Sequence, residues 1–177
     1  MVNLHHSMSD NQQERLEIES WICGFVDGEG CFSVSLIRNQ TTKHGWQLFP
    51  EFVVTQGSKS RTCLERIKLF FKCGQIYENR RHDNHTEHLL RYCVRTRHDL
   101  LEKIVPFFRA YPLQTAKRKD FERFVKVLAL MERNGHTTTS GLRQAARYIQ
   151  AMNRKVPSRF LESSETTRRT PSNRVKI

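Results

Sequence analysis

Asp27 and Glu29 lie among Gly24, Gly28 and Gly30 in the run SWICGFVDGEGCFSVSLI, residues 20–37. The run begins as an apolar helix and ends as an alternating strand, so both acids fall at the junction. A helix C-terminus carries the negative end of the backbone dipole, which disfavours a carboxylate unless a cation is held there. Gly24 and Gly28 share one side of the helix, and a second helix backbone can come close to that side. Cys23 beside them is also small. If the second helix is the same helix of another subunit, two Glu29 carboxylates meet near a two-fold axis, where each resists ionisation. A divalent cation between them removes the conflict, and oxygen ligands suit Mg²⁺.

The elements that must position these acids follow from the pattern around them. Residues 1–17 read as a weakly ordered N-terminal tail and Ile18 to Gly28 as a helix. Cys31 to Ile37 alternates, with Phe32, Val34 and Leu36 on one face and Ser33, Ser35 and Ile37 on the other, which predicts a half-buried strand. WQLFPEFVVT predicts a second strand, with Leu48, Phe52 and Val54 on one face. SKSRTCLERIKLFF reads as an amphipathic helix with apolar Leu64, Ile67, Leu69 and Phe70, closed by Gly74. QIYENRR and HLLRYCVRT read as a hairpin around HDNHTE. Helices follow over HDLLEKIVPFF, about Thr115 to Arg133, and from Ser140 as N-cap.

The order helix-strand-strand-helix-strand-strand-helix, with further C-terminal helices, predicts an α+β domain. It would span residues 18–155, with 156–177 as a basic, flexible tail. Its antiparallel, saddle-like sheet would be covered by helices on one face and open on the other. The open face would present Ser33, Ser35, Gln47, Glu51, Gln75, Tyr77, Asn79, Arg91 and Arg95. Asn, Gln and Arg are the side chains that pair bidentately with base edges in a major groove.

The charge agrees with a polyanionic partner. Thirty Lys and Arg stand against 18 Asp and Glu, a net charge of +12, and the basic residues are mainly Arg, which forks onto phosphate and guanine. No apolar run reaches the roughly 20 residues of a membrane span, and the first residues lack a signal-peptide core. Cys23, Cys31, Cys63, Cys73 and Cys93 form no Cys-x-x-Cys pair, which argues against a zinc ribbon. They read as small core residues of a protein kept in a reducing compartment, bacterial cytoplasm or organelle matrix or stroma.

ICGFVDGEG, residues 22–30, resembles the LAGLIDADG motif of homing endonucleases, in the variant ending Asp-Gly-Glu-Gly. CFSVSL resembles that family's first DNA-binding strand, FVVTQ the end of its second, YPLQTAKRKDF the segment with its active-site lysine, and SGLRQAARYIQAMNRK its C-terminal helix. The resemblance runs from about Glu17 to Lys155.

It implies a nuclease that makes double-strand breaks in a long, pseudo-palindromic target and so promotes intron mobility. Glu29 and the Gly28 carbonyl would bind Mg²⁺ or Mn²⁺, and Glu29, Gln56 and Lys117, or Lys119 in its place, would do the chemistry. The open face, joined by Ile37, Arg38 and Gln40, would lie in the major groove. One motif per chain implies a homodimer, with Cys23, Gly24, Asp27 and Gly28 at the interface. Asp27 would buttress the helix pair rather than bind metal. Two rival readings keep the fold: an RNA maturase acting on its host intron, and a nuclease-dead DNA-binding regulator. His82, His85 and His88 suggest a hairpin tip at DNA or solvent, and Arg168, Arg169, Arg174 and Lys176 add phosphate affinity.

Overall fold

The computed structural model describes residues 4–79 and 87–152, with side chains from Gln12 onward. The elements are α1 (Leu4–Glu29), β1 (Gly30–Arg38), β2 (Trp46–Gly57), α2 (Arg61–Phe71), β3 (Gln75–Asn79), β4 (Leu89–Val94), α3 (Arg97–Asp99), α4 (Val105–Ala110), α5 (Lys117–Glu132) and α6 (Thr139–Met152). A π-helical turn, Leu100–Ile104, joins α3 to α4, and 3₁₀ turns cover Ser58–Ser60 and Gly135–Thr137. The four strands form one sheet in the order β1-β2-β4-β3. It is antiparallel, and the α+β architecture is the one expected from the element order.

By chain contacts the molecule divides into two compact units, Met1–Phe32 with Glu51–Arg118, and Ser33–Pro50 with Lys119–Ile177. The first unit is built on an aromatic cluster. Phe52 stacks on Phe32 at 5.0 Å and meets Phe108 at 5.6 Å, Phe71 and Tyr92 at 6.3 Å. Phe107 meets Phe71 edge-on at 5.1 Å. Ile22 and Val26 of α1, Leu64 and Ile67 of α2, and Leu100 and Ile104 are fully buried with them. In the second unit α5 buries Phe121, Phe124, Val127 and Leu128, and α6 buries Leu142, Ala145, Ala146 and Ile149.

The register confirms the face assignment of the β2–β4 pair. Phe52 faces Val94 and Val54 faces Tyr92, all buried, while Thr55 faces Arg91 on the other side. Tyr77 faces Arg91 and Gln75 faces Cys93 across β3–β4.

Several local expectations are corrected. α1 begins at Leu4, well before Ile18. Its polar N-terminal part is held by pairs one turn apart, Gln13 to Glu17 at 3.4 Å and Arg15 to Glu19 at 3.0 Å, which an apolar-periodicity reading does not register. α2 closes at Lys72, left-handed at φ 50°, rather than at Gly74. Lys103 Nζ donates to the Lys72 carbonyl at 3.1 Å and pairs with Asp99 at 2.7 Å, which supports this end. Leu69, expected on the apolar face of α2, is 75% exposed. α6 is entered from Thr138, whose hydroxyl accepts the Gly141 N–H at 3.1 Å, so Thr138 and not Ser140 caps it. The π-helical turn precedes Pro106, which has no N–H for a regular helical bond and whose ring crowds the carbonyl four residues back. His82 and His85, most of HDNHTE and the C-terminal tail lie outside the described residues.

The passage from α1 to β1 takes no loop, and Gly30 makes that possible. A Cβ there would lie 2.4 Å from Val26 Cγ1 and 2.8 Å from the Val26 carbonyl oxygen. The carbonyl cannot step aside without breaking the helix end. Gly30→Ala is therefore expected to destabilise the protein by about 1–3 kcal/mol, the cost of overpacking, seen as a lower melting temperature.

Candidate active site and sheet surface

The last four carbonyls of a helix have no partner within it. In α1 three of them are taken by one side chain. Lys117 Nζ donates to the carbonyl oxygens of Val26 at 3.2 Å, Asp27 at 2.9 Å and Gly28 at 2.5 Å. All three ammonium protons are thus used at the negative end of the helix dipole. Burial lowers the Lys117 pKa from its ordinary value, and the nearby charges of Glu29 and Asp27 oppose that shift. The helix end that disfavours a carboxylate thus carries a cation of the same chain on its carbonyls, and that cation feels the charges of Glu29 and Asp27. Lys117 reaches this position; Lys119 is exposed on α5.

Asp27 is engaged elsewhere. Its carboxylate accepts the Gln114 N–H at 2.6 Å, the Thr115 N–H at 3.2 Å and the Thr115 hydroxyl at 2.7 Å. Burial alone would raise this carboxyl, but these donors and the Lys117 charge hold it below the ordinary value. Asp27 therefore acts as a cap for the segment entering α5, and Thr115 Oγ1 in turn accepts the Lys117 N–H at 3.3 Å. Gln114 and Thr115 were not singled out from the sequence. A Thr two residues before a helix start is a capping signal that could have found Thr115.

Glu29 is the last residue of α1 and is exposed, as is Gly28. Their donor atoms, a carboxylate and a carbonyl, are the hard oxygens that Mg²⁺ or Mn²⁺ takes. A carbonyl oxygen has two lone pairs, so the Lys117 bond leaves Gly28 able to accept a second partner. Among the described residues of one chain no group of three His, Cys, Asp or Glu gathers to hold a metal. Glu29 and Gly28 thus offer two oxygens of the kind such a cation takes. Gln56 stands near the end of β2, half-buried, on the same face as Phe52 and Val54, opposite Leu90.

The dimer-interface candidates differ in what they meet. A Cβ on Gly24 or Gly28 would find nothing within 4 Å, so this side of α1 is open. Cys23 instead turns to its own chain, its thiol donating to the carbonyls of Tyr111 at 3.5 Å and Pro112 at 3.7 Å.

On the open face of the first unit, Glu51 binds two arginines, Arg95 Nε at 2.7 Å and Arg91 Nη2 at 3.3 Å. Arg95 lies over the Tyr77 ring at 5.0 Å, and Asn79 is exposed. Gln75 accepts from Lys68 Nζ at 3.0 Å. Val53, missed from the sequence, and Cys93, read there as a small core residue, fill this face between the polar residues and are buried. Burial pushes the Cys93 thiol up to about 11, and the neighbouring Glu51 charge adds to it.

In the second unit Ser35, Ile37, Arg38, Gln40 and Gln47 are exposed and Ser33 is half-buried. Arg38 lies over Trp46 at 4.4 Å, and Asn39 Nδ2 holds Gln47 Oε1 at 2.8 Å. Phe49, 39% exposed, is a further side chain missed here.

The family model described as LAGLIDADG endonuclease matches residues 22–128. A probable intron-encoded endonuclease of Neurospora crassa is 31% identical over 158 residues, which are 89% of this chain and 34% of that protein. The crystal structure of the homing endonuclease I-TnaI superposes with a TM-score of 0.73 at 37% identity, covering 84% of this chain and 96% of that one. The I-LtrWI LAGLIDADG homing endonuclease bound to target DNA gives a TM-score of 0.76 at 33% identity, over 83% of this chain and 48% of that one. The chain thus spans about a third of the Neurospora protein and about half of the DNA-bound one.

Proposed function

Since the chain belongs to the LAGLIDADG endonuclease family, we propose that it is a site-specific DNA endonuclease that hydrolyses phosphodiester bonds with a divalent cation. The observation that carries this reading is the end of α1. There an exposed carboxylate, Glu29, stands beside an ammonium, Lys117, held on the last carbonyls of the helix. Glu29 and the Gly28 carbonyl would hold Mg²⁺ or Mn²⁺, which when bound supplies a Lewis acid and lowers the pKa of a bound water. Lys117 places fixed positive charge where negative charge grows on the phosphate in the transition state. Gln56 orients water through its amide.

The polar sheet residues contact DNA. Glu51 holds Arg91 and Arg95 in place before binding, so less side-chain entropy is lost on docking. The net charge of +12 supports affinity for a polyanion, and binding weakens steeply with salt.

The active unit is a homodimer. One chain spans about half of the DNA-bound relative, and its Gly24–Gly28 side is open to a second helix. The target is then pseudo-palindromic, because both subunits present the same side chains. Relatives named as intron-encoded support a role in intron mobility, in a reducing compartment that leaves the five cysteines free. No described helix is long and apolar enough to cross a membrane.

The test is cleavage of a DNA library with Mg²⁺ and with EDTA. Discrete double-strand cuts at one site, only with the cation, are expected. Absence of cutting at the joined exons of the host gene, together with faster splicing of its intron RNA, would establish the maturase reading instead.

A further inference from the structure

Glu19 is the buried charged side chain among the described residues, 3% exposed, and it lies within α1 far from Glu29 in sequence. Arg15 Nε donates to one of its oxygens at 3.0 Å, and the Tyr111 hydroxyl donates to the other. One turn further along α1, Cys23 reaches the Tyr111 carbonyl. One turn further again, Asp27 holds Gln114 and Thr115. At the helix end Lys117 closes the row on the carbonyls of residues 26–28. Residues 19, 23 and 27 are spaced at four and form one stripe of the helix. The segment Tyr111–Lys117 runs along that stripe in the same direction, fastened at each turn.

We propose that Glu19, acting through the Tyr111 hydroxyl, is a positioning residue that sets the register of this segment on α1 and so fixes where the Lys117 ammonium stands beside Glu29. The inference deepens the nuclease reading above and rests on it. The Glu19–Tyr111 bond is the first fastening of the row, and it is the one that joins a buried carboxylate, which cannot be left unpaired without cost. The Glu19 hydrogen bond raises the Tyr111 pKa, with burial adding to it, so the phenol remains a donor at neutral pH. The Tyr111 ring is held independently, 5.1 Å from Phe107. Loss of the hydroxyl therefore frees the register without removing the ring. Asp27 and Lys117 then have to find their partners on a segment whose start is loose.

Tyr111→Phe keeps the ring and deletes only the donor. Three measurements decide: single-turnover cleavage at saturating DNA, DNA affinity, and hydrogen exchange at the Gln114 and Thr115 amides of the metal-free protein. Cleavage is expected to fall about 10- to 100-fold, as for a misplaced catalytic group, with DNA affinity changed less than about twofold. The two amides are expected to exchange at least about tenfold faster, local opening having become easier, while the β4 amides keep their protection. Glu19→Gln retains an acceptor for the phenol and should keep most of the rate.

Wild-type cleavage and unchanged exchange in Tyr111→Phe would overturn the proposal. So would a parallel fall of rate, DNA affinity and β4 protection, which marks a merely structural pair. If the wild-type protein cuts no DNA, the nuclease reading fails by itself. Faster exchange at Gln114 and Thr115 in Tyr111→Phe would still uphold the register role, and unchanged exchange would overturn it.

Discussion

Glu29→Gln is expected to abolish cleavage while the protein still binds its target: a loss of at least about 10²–10³-fold in rate, the scale of removing one electrostatic stabiliser, against a change in affinity below about twofold. The substitution is nearly isosteric and its position is exposed, so the fold has no reason to respond. It removes the negative charge that would hold a divalent cation on the proposed reading and leaves a neutral oxygen in its place. It also removes a negative charge that acts on Lys117 at the end of α1. On the proposed reading affinity comes from sheet residues and phosphate contacts, which the change does not touch. Quenched single-turnover assays and gel-shift titrations in Ca²⁺ separate the two quantities. A Glu29→Gln protein that cuts at the wild-type rate would remove this carboxylate from the chemistry.

Gly24→Glu has an equally large expected effect, by another route. Within one chain a Cβ on Gly24 meets nothing within 4 Å, so the side chain points into open space. Glycine in a helix interior is also poorer than other residues by about 1 kcal/mol. The isolated subunit should therefore fold as well as before or slightly better. A second helix laid on the Gly24–Gly28 side would meet a long charged side chain, and two such charges would repel. Sedimentation velocity should find a monomer where the proposed pairing makes the wild-type chain a dimer, and cleavage should disappear with that dimer. Circular dichroism should show the helices unchanged. A Gly24→Glu chain that still dimerises would place the interface elsewhere.

Much of this was readable from residue types. The alternation of Phe32, Val34, Phe52 and Val54 against Ser33, Ser35 and Glu51 gives the sheet faces, because side-chain period in a strand is two and the core is apolar. The run from Gly24 to Gly30 gave the helix end and its acids. The Lys117 contact was not readable by spacing: Lys117 is remote from residues 26–28 in sequence, and only the close approach of the Tyr111–Lys117 segment to α1 brings them together. The Glu51 clamp on Arg91 and Arg95 depends on the β2–β4 register, which a sequence pattern leaves open by steps of two. The early start of α1 escaped notice for the opposite reason. Its N-terminal part is polar in sequence, and over residues 12–17, which are exposed, the helix carries a side-chain pair such as Gln13 with Glu17 and no apolar periodicity.

The uncovered Gly24–Gly28 side has a consequence for gene dosage. On the proposed pairing, a lone subunit is an intact fold that cuts nothing. When chains are scarce relative to the dissociation constant, the amount of active pair rises with the square of their concentration. Halving synthesis then cuts activity about fourfold under that same mass action. A cell bearing this gene is shielded at low expression by the arithmetic of assembly, with no inhibitor needed. Joining two copies in one polypeptide would abolish that shield, because the second half would then be present at a fixed effective concentration.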